Sequence, residues 1–570
     1  MNKRLILILI LLQVLAVKST AQDTARDDLL KMMIGQYGQA MVSIPVPGTR
    51  EMDFLSRNVS VSSRRNKRLE IMLSPLTVDW FISRKYDYMI LENDGTKGII
   101  TAASTMEAME WESYPTYDQY DSIMQSFVTL YPHLCHLDTI GTTNYGKLVL
   151  ALKISDNPVT DEDEPETFYT SSIHGDETGS FILMLRLADY LLKNYNNSSR
   201  VRNLVENLEI WINPLANPDG TYKTGNTISS PTRYNANGYD LNRNFPDPVS
   251  DNPGKQKETL AMMKFMRSRK FVLSANFHAG EEVVNYPWDR WEKRHPDEDW
   301  FYYISRKYAD TVHIHSIAGY MTFMENGVTN GWDWYLIYGG RQDYATWELQ
   351  GREVTIELDD TKLTPAANLN LLWEYNWRSL LGYLENALFG IHGTVTDFNT
   401  DEAVPAKIFV EGHDADSSHV YSDTITGVFT RLIAPGSWTL KFTADGYLNK
   451  TVTVIVEQEQ MTWIDVKMTP LFNPVDTVTT AGLFIYPNPA NEFIKVVLPE
   501  RQIGIVELNI FNTLGINVTM NTGNYEVHTF EDIPLYLNVQ DLPGGVYTIV
   551  IRNTETKVTD KASFVVVHRK

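Results

Sequence analysis

Two hydrophobic periods take turns along the middle of the chain. Apolar runs at Leu148–Ser155, Glu166–Ile173, Leu208–Ile212, Phe271–Phe277 and Glu353–Leu358 predict strands. Helical spacing predicts helices over Tyr117–Tyr131, over the segment carrying Phe181, Met184, Leu185, Ala188 and Leu192, and over Leu371–Leu388. Strands interleaved with helices imply an α/β domain with a mixed or parallel central sheet. After Gly390 the helical period stops. Trp438, Leu440 and Phe442 alternate with polar residues, as do Ile464, Val466 and Met468, which predicts a small β-sandwich. A further all-β module follows, with Val506, Leu508 and Ile510 alternating and Pro543-Gly544-Gly545 turning into Val546–Ile551.

Ahead of the α/β region lies a shorter mixture. A helix at Ala25–Gln36, strands at Met41–Ile44 and Leu69–Leu73, a helix body at Val78–Ser83 and a closing strand at Met89–Leu91 describe a small α+β unit. No cleavage site stands out in it, so it reads as a stability appendage rather than a pro-segment or regulatory cap. At the very start, Lys3 and Arg4 precede the apolar run Leu5–Val17 and the small residues Ser19, Thr20 and Ala21, the pattern of a secretory signal peptide. The expected organisation is therefore a signal peptide over 1–22, the α+β unit over 23–108, the α/β domain over 109–390, a β-sandwich over 391–470, a linker over 471–482 containing Asn473-Pro474, and a β-domain over 483–570.

Composition narrows the picture further. A length of 570 residues calls for several cores, and 43% apolar residues supply them. A formal net charge of −21 argues against nucleic acid or an anionic membrane as partner. The lone cysteine, Cys135, leaves no internal disulfide, and export without disulfides fits a bacterial product. No segment after the signal approaches transmembrane length. The acidic run Asp161-Glu162-Asp163-Glu164 lacks the spacing and glycine of a calcium loop and reads as a solvated turn.

Candidate chemistry gathers at predicted strand ends, where open α/β sheets collect functional groups. His174 and Glu177 stand three apart at a strand-to-helix junction, His278 ends a second strand, and Glu357 lies on a third. Two imidazoles and a carboxylate give the ligand set of a catalytic zinc with a fourth position open. Glu357, flanked by apolar residues, is costly to bury without a task and is placed to take a proton from water. The polar loop Arg233–Pro246 adds two arginines and several asparagines, which suits an anionic substrate group because guanidinium pairs with carboxylate through two parallel bonds.

Six stretches taken in order then carry a resemblance: H-G-D-E (His174–Glu177), N-P-D-G (Asn217–Gly220), D-L-N-R-N-F-P-D (Asp240–Asp247), N-Y-P-W-D (Asn285–Asp289), G-G-R-Q-D-Y (Gly339–Tyr344) and I-E-L (Ile356–Leu358). Over roughly 110–390 the chain resembles the zinc metallocarboxypeptidases, in particular the regulatory branch that includes carboxypeptidases D, E, M and N. The resemblance implies one zinc ion on His174, Glu177 and His278. It implies Asn242 and Arg243 on the substrate's terminal carboxylate with Tyr335 closing over it, Arg233 as oxyanion stabiliser and Glu357 as general base. Asp289 and Gln342 stand where that branch meets the terminal side chain, which implies a preference for C-terminal Lys or Arg. A carboxypeptidase of cell-wall peptides ending in a diamino acid, or an inactive cell-surface binding protein, are the alternatives. Ala279 replaces the glycine usual after the third ligand, and Asp176 occupies a position that is arginine in digestive relatives. Residues 391–470 resemble the transthyretin-like domain of the same branch. Tyr486-Pro487-Asn488-Pro489-Ala490 with Asp541–Tyr547 resembles the C-terminal sorting domain of type IX secretion cargo, which implies the secretion machinery as partner and release from, or attachment to, the surface of a Gram-negative cell.

Overall fold

The computed structural model describes residues 23–568 apart from 66, 93–96, 224, 252–253, 472–481, 520–523 and 528–534. The expected signal peptide and nearly all of the expected linker lie outside the described residues. An eight-stranded mixed sheet organises the α/β region. Its central strands, Arg352–Asp359, Phe271–His278, Glu166–Ser171 and Glu209–Asn213, run parallel. Glu281–Tyr286 is antiparallel to Arg352–Asp359 but parallel to the edge strand Val328–Asn330, and on the other side Leu148–Ile154 and Cys135–Thr142 follow in antiparallel pairing. Helices cover both faces, as parallel strands require. Leu152, Tyr169, Ile212 and Phe277 pack with the helices Gly179–Asn194, Glu298–His315 and Leu369–Glu385. Ala151, Phe168 and Trp211 turn the opposite way and meet the helix Lys257–Arg267. Period-two alternation thus feeds two separate cores.

Several expected elements differ from those observed. The strand expected over Glu166–Ile173 ends at Ser171, because Ser172 takes a left-handed conformation at φ 53°. That turn aims the following residues across the sheet edge. The strands Cys135–Thr142, Glu281–Tyr286 and Val328–Asn330 and the helices Lys257–Arg267 and Glu298–His315 were not expected from periodicity. Among the described residues no helix is long and apolar enough to cross a membrane.

The N-terminal unit is a four-stranded antiparallel sheet in the order Ser60–Arg65, Arg68–Leu73, Ala40–Pro45, Met89–Ile90. Its core is not its own. Val42, Ile71 and Phe81 cluster with Val283, Trp334, Tyr335 and Ile337 of the α/β region. C-terminal to the α/β region, a three-stranded sheet and a four-stranded sheet enclose Ile391, Val410, Phe429 and Phe442 as a sandwich. A second pair of sheets between Phe484 and Val566 encloses Ile494, Leu508 and Ile549.

A buried ionic knot fastens the first sandwich to the α/β region. Asp297, at the amino end of the helix Glu298–His315, accepts from Arg431 at 2.9 and 3.0 Å and lies 2.7 Å from Arg352 and 2.8 Å from His413. Arg431 also donates to Asp414 at 2.6 Å. Removing one member strands its partners away from water, so Arg431→Ala is expected to destabilise the fold by about 3–5 kcal/mol, read as a lowered unfolding midpoint. A midpoint matching that of the unsubstituted protein would show the knot to be dispensable.

Candidate active site

His174 follows the turn at Ser172, and Glu177 sits on the last loop residues before the helix beginning at Gly179. His278 is the final residue of its strand, and Glu357 pairs with it in register on the adjacent parallel strand. Three chain segments therefore deliver these side chains to the carboxyl edge of the sheet. The Nδ1 atoms of His174 and His278 are 3.1 Å apart, with Glu177 oxygens 2.9 and 2.8 Å from them. Ligand atoms of a tetrahedral zinc are spaced about 3.3 Å apart when bound at 2.0–2.1 Å. All three side chains are buried.

The electrostatics suit a cation. Burial lowers the His278 pKa to about 4, so its ring is neutral and carries a lone pair. Burial opposes ionisation of Glu177, yet His174, Lys362 and His278 around it hold its carboxyl well below the usual range. Asp240 Oδ1 lies 3.1 Å from His174 Nε2, which sets the proton on that nitrogen and leaves Nδ1 facing Glu177 and His278. Two facing imidazole nitrogens and a carboxylate are thus a donor set that fits zinc.

Around this set the structure brings most of the expected residues together. Arg233 donates from Nε to Asp240 at 2.9 Å, and its Nη1 is 3.1 Å from His174 Nδ1 and 3.4 Å from Glu177 Oε1. Glu357 lines the same cavity with Oε2 buried and without a hydrogen-bond partner. Burial and the charge of Glu177 push its pKa well above the usual carboxylate range. Asn242, Arg243 and Tyr335 line the cavity too. Asp289 and Gln342 do not reach its wall. They lie behind Asn285, which does, and the Asp289 carboxylate accepts from Asn285 at 2.9 Å and Gln342 at 3.1 Å. Burial raises its pKa to about 6. A Cβ at Gly331 would come within 1.9 Å of this carboxylate, so only glycine leaves it room.

Three participants escaped the motif reading. Asp240 lay inside a quoted motif without a role, although it contacts His174, Arg233 and the backbone N–H of Asn242. Lys362 donates to Glu177 at 3.0 Å, and its spacing five residues after Glu357 was the available signal. The third is the N-terminal unit, whose strand Ser60–Arg65 crosses the cavity mouth. Val61 O accepts from Arg243 Nη2 at 2.8 Å, Ser62 O lies 3.5 Å from the Tyr335 hydroxyl, and Ser60 bonds Asp240. Ser63 and Arg65 both bond Glu281, and Gln39 bridges Asp176 at 2.9 Å to the Arg233 backbone at 2.7 Å. The remaining cavity measures about 20 Å³, room for a water molecule but not a peptide end. The appendage reading of residues 23–108 misses these contacts.

Fold and site together define a zinc hydrolase of carboxypeptidase type. Residues 120–379 match the family described as zinc carboxypeptidase, and the chain belongs to that family. It is 32% identical over 363 residues to carboxypeptidase SOL1 of Arabidopsis thaliana, covering 61% of this chain and 71% of that one. It is 32% identical over 399 residues to the carboxypeptidase N catalytic chain of Rattus norvegicus, covering 62% and 86%. With carboxypeptidase D of Homo sapiens it shares 35% identity over 361 residues, 60% of this chain but only 26% of that longer protein. The regulatory branch is therefore the one it is related to. Residues 484–565 match a secretion system C-terminal sorting domain.

Because Asp240 holds His174 by the nitrogen away from Glu177, Asp240→Asn is expected to weaken zinc binding by roughly 10–100-fold. Competition against a chromophoric chelator measures this, and unchanged affinity would remove Asp240 from its supporting place.

Proposed function

We propose that the enzyme removes C-terminal Lys or Arg from peptides and proteins, using one zinc ion held by His174, Glu177 and His278. The observation carrying this reading is the buried Asp289 carboxylate, presented by Asn285 and Gln342 behind the cavity wall. A long cationic side chain passing Asn285 would reach it, and an apolar one would leave it unpaired. Zinc, when bound, supplies a Lewis acid to the scissile carbonyl and lowers the pKa of a water toward ~7. Arg243 and Asn242 take the terminal carboxylate, and Tyr335 closes over it. Arg233 stabilises charge developing on the scissile oxygen. Glu357, whose Oε2 has no competing partner, takes a proton from the attacking water and returns it to the leaving amine. The sorting domain makes the product a secreted or surface-attached enzyme, and we read its source as a Gram-negative bacterium.

Peptides matched except for terminal Arg, Lys, Phe or Glu test the reading. Arg and Lys are expected to be preferred, and Glu357→Gln is expected to lower turnover by about 10²–10⁴-fold. Preference for Phe would sink the Asp289 argument alone, whereas a fully active Glu357→Gln would sink the mechanism.

Selectivity should also depend on pH. Below about 6 the Asp289 carboxyl takes up a proton and loses its charge, and above that value it is anionic. The KM for a terminal Arg is therefore expected to rise more steeply on acidification than the KM for a terminal Phe. Parallel profiles for the two substrates would count against Asp289.

Substrate entry requires the strand Ser60–Arg65 to withdraw, since it occupies donors the substrate needs. Arg65→Glu, which sets two carboxylates against each other at Glu281, is expected to lower KM several-fold with kcat unchanged. A KM that stays or rises while amide exchange shows the strand released would refute this requirement.

A further inference from the structure

The amino edge of the central sheet carries a second concentration of buried charge, at the opposite ends of the strands that lead to the zinc ligands. Glu166 and Glu209 are the first residues of two adjacent parallel strands and stand opposite each other in register. Like charges paired across strands destabilise a sheet unless something lies between them. These two are also buried, Glu166 at 7% exposure and Glu209 at 0%.

The protein satisfies only half of each carboxylate. Glu209 Oε1 receives Lys153 at 2.7 Å and the Glu162 N–H at 2.8 Å, and Glu166 Oε2 receives the Lys270 N–H. Glu209 Oε2 and Glu166 Oε1 are buried with no partner. The loop between Asp156 and Glu164 folds over them. Donor oxygens of Asp161, Glu166 and Glu209 lie within 4.8 Å of one another, and so do those of Asp156, Glu162 and Glu164. In that second group too, Asp156, Glu162 and Glu164 each keep a buried oxygen without a partner. Within the run Asp161–Glu164, Asp161 and Asp163 are exposed as a solvated turn requires, whereas Glu162 and Glu164 are half-buried and each turns one oxygen inward.

We propose that this loop and the two strand starts form a binding site for calcium, centred on Asp161, Glu166 and Glu209 and extended by Asp156, Glu162 and Glu164. All the donors are carboxylate oxygens, the set that hard cations take and that zinc does not select. Oxygens on opposite sides of a calcium ion are about 4.6–5.2 Å apart, so the spacing accommodates one. Lys153 pairs with Glu209 and Arg269 acts on Glu166 from further off, so the six carboxylates outnumber these two cations and a divalent ion would offset the excess. Without an ion, burial raises the pKa of both Glu164 and Glu166 to about 7, a sign of how poorly the protein alone supports their charge. Nothing in the set depends on the loop sequence of a helix–loop–helix calcium site, which is why motif spacing misses it.

The test uses the full-length, zinc-saturated protein and calcium alone. Equilibrium dialysis against radiolabelled calcium is expected to show at least one ion per chain, with a dissociation constant on the order of 10⁻³ M or tighter. Millimolar calcium is expected to raise the unfolding midpoint by several degrees at pH 8, with magnesium having less effect. Asp161→Asn, in the exposed part of the loop, and Glu209→Gln are each expected to weaken calcium binding at least tenfold. Should Glu209→Gln fail to fold, Asp161→Asn decides. The proposal is overturned if the protein binds no calcium at millimolar concentration, if magnesium binds more tightly, or if Asp161→Asn binds calcium as the unsubstituted protein does. It is equally overturned if acidification from pH 8 to 6 raises the midpoint while calcium at pH 8 does not, since protonation would then be what relieves the cluster. None of these readings involves peptide cleavage, so the proposed activity stands or falls separately.

Discussion

One carboxylate, Asp240, holds the candidate active site in shape. It receives the Arg233 guanidinium, lies against the outer nitrogen of His174, takes the N–H of Asn242 and bonds Ser60 of the N-terminal unit. A buried anion survives only when surrounded by donors, and here the donors are the groups whose placement the chemistry needs. Arg233, Asp240 and Asn242 all come from a single loop that lacks regular structure over most of its length. Without a shared anchor, nothing in the backbone would bring the proposed oxyanion stabiliser, the proposed carboxylate clamp and the support of a proposed metal ligand to the same place.

The sheet supplies the rest of the geometry. Register pairing of Glu357 with His278 fixes the distance between the proposed base and a proposed ligand without side-chain help. The strand carrying Glu357 begins at Arg352, which is buried in the ionic knot with Asp297 and Arg431. The sandwich that follows the α/β region is thereby tied to the strand that presents the proposed base. A domain that looks ancillary along the chain is continuous with the site through one eight-residue strand.

Much of this was legible in the sequence. The four parallel strands are apolar and bounded by turn residues, so their period showed them, and their carboxyl ends pointed to His174, His278 and Glu357. The strands towards the two edges were harder. Cys135–Thr142 is half exposed and mixes His136, Asp138 and Thr139 with its apolar positions, and Glu281–Tyr286 begins with two glutamates. The first lacks a clean period because one side is open to solvent, whereas the second is buried between two cores, Val283 facing one and Val284 the other, and is hidden by its opening glutamates. The long helix Glu298–His315 hides its stripe among charged and aromatic residues. The contacts of Val61 and Ser62 with the site use backbone carbonyls, which any residue supplies, so no choice of amino acid could announce them. The same holds at the opposite sheet edge, where pairing in space, not spacing along the chain, sets Glu166 beside Glu209.

The strand laid across the cavity mouth also changes what a kinetic constant on this chain would mean. A ligand tethered to its own receptor acts at an effective concentration that reaches millimolar for a short linker, whatever the bulk concentration. In the proposed mechanism a peptide end competes with that tethered strand for Arg243 and Tyr335. The apparent affinity of the intact protein is then the intrinsic affinity reduced by the fraction of molecules that are open. Two preparations with identical active sites but different grip on residues 60–65 would differ in apparent substrate affinity while sharing every residue that performs the chemistry.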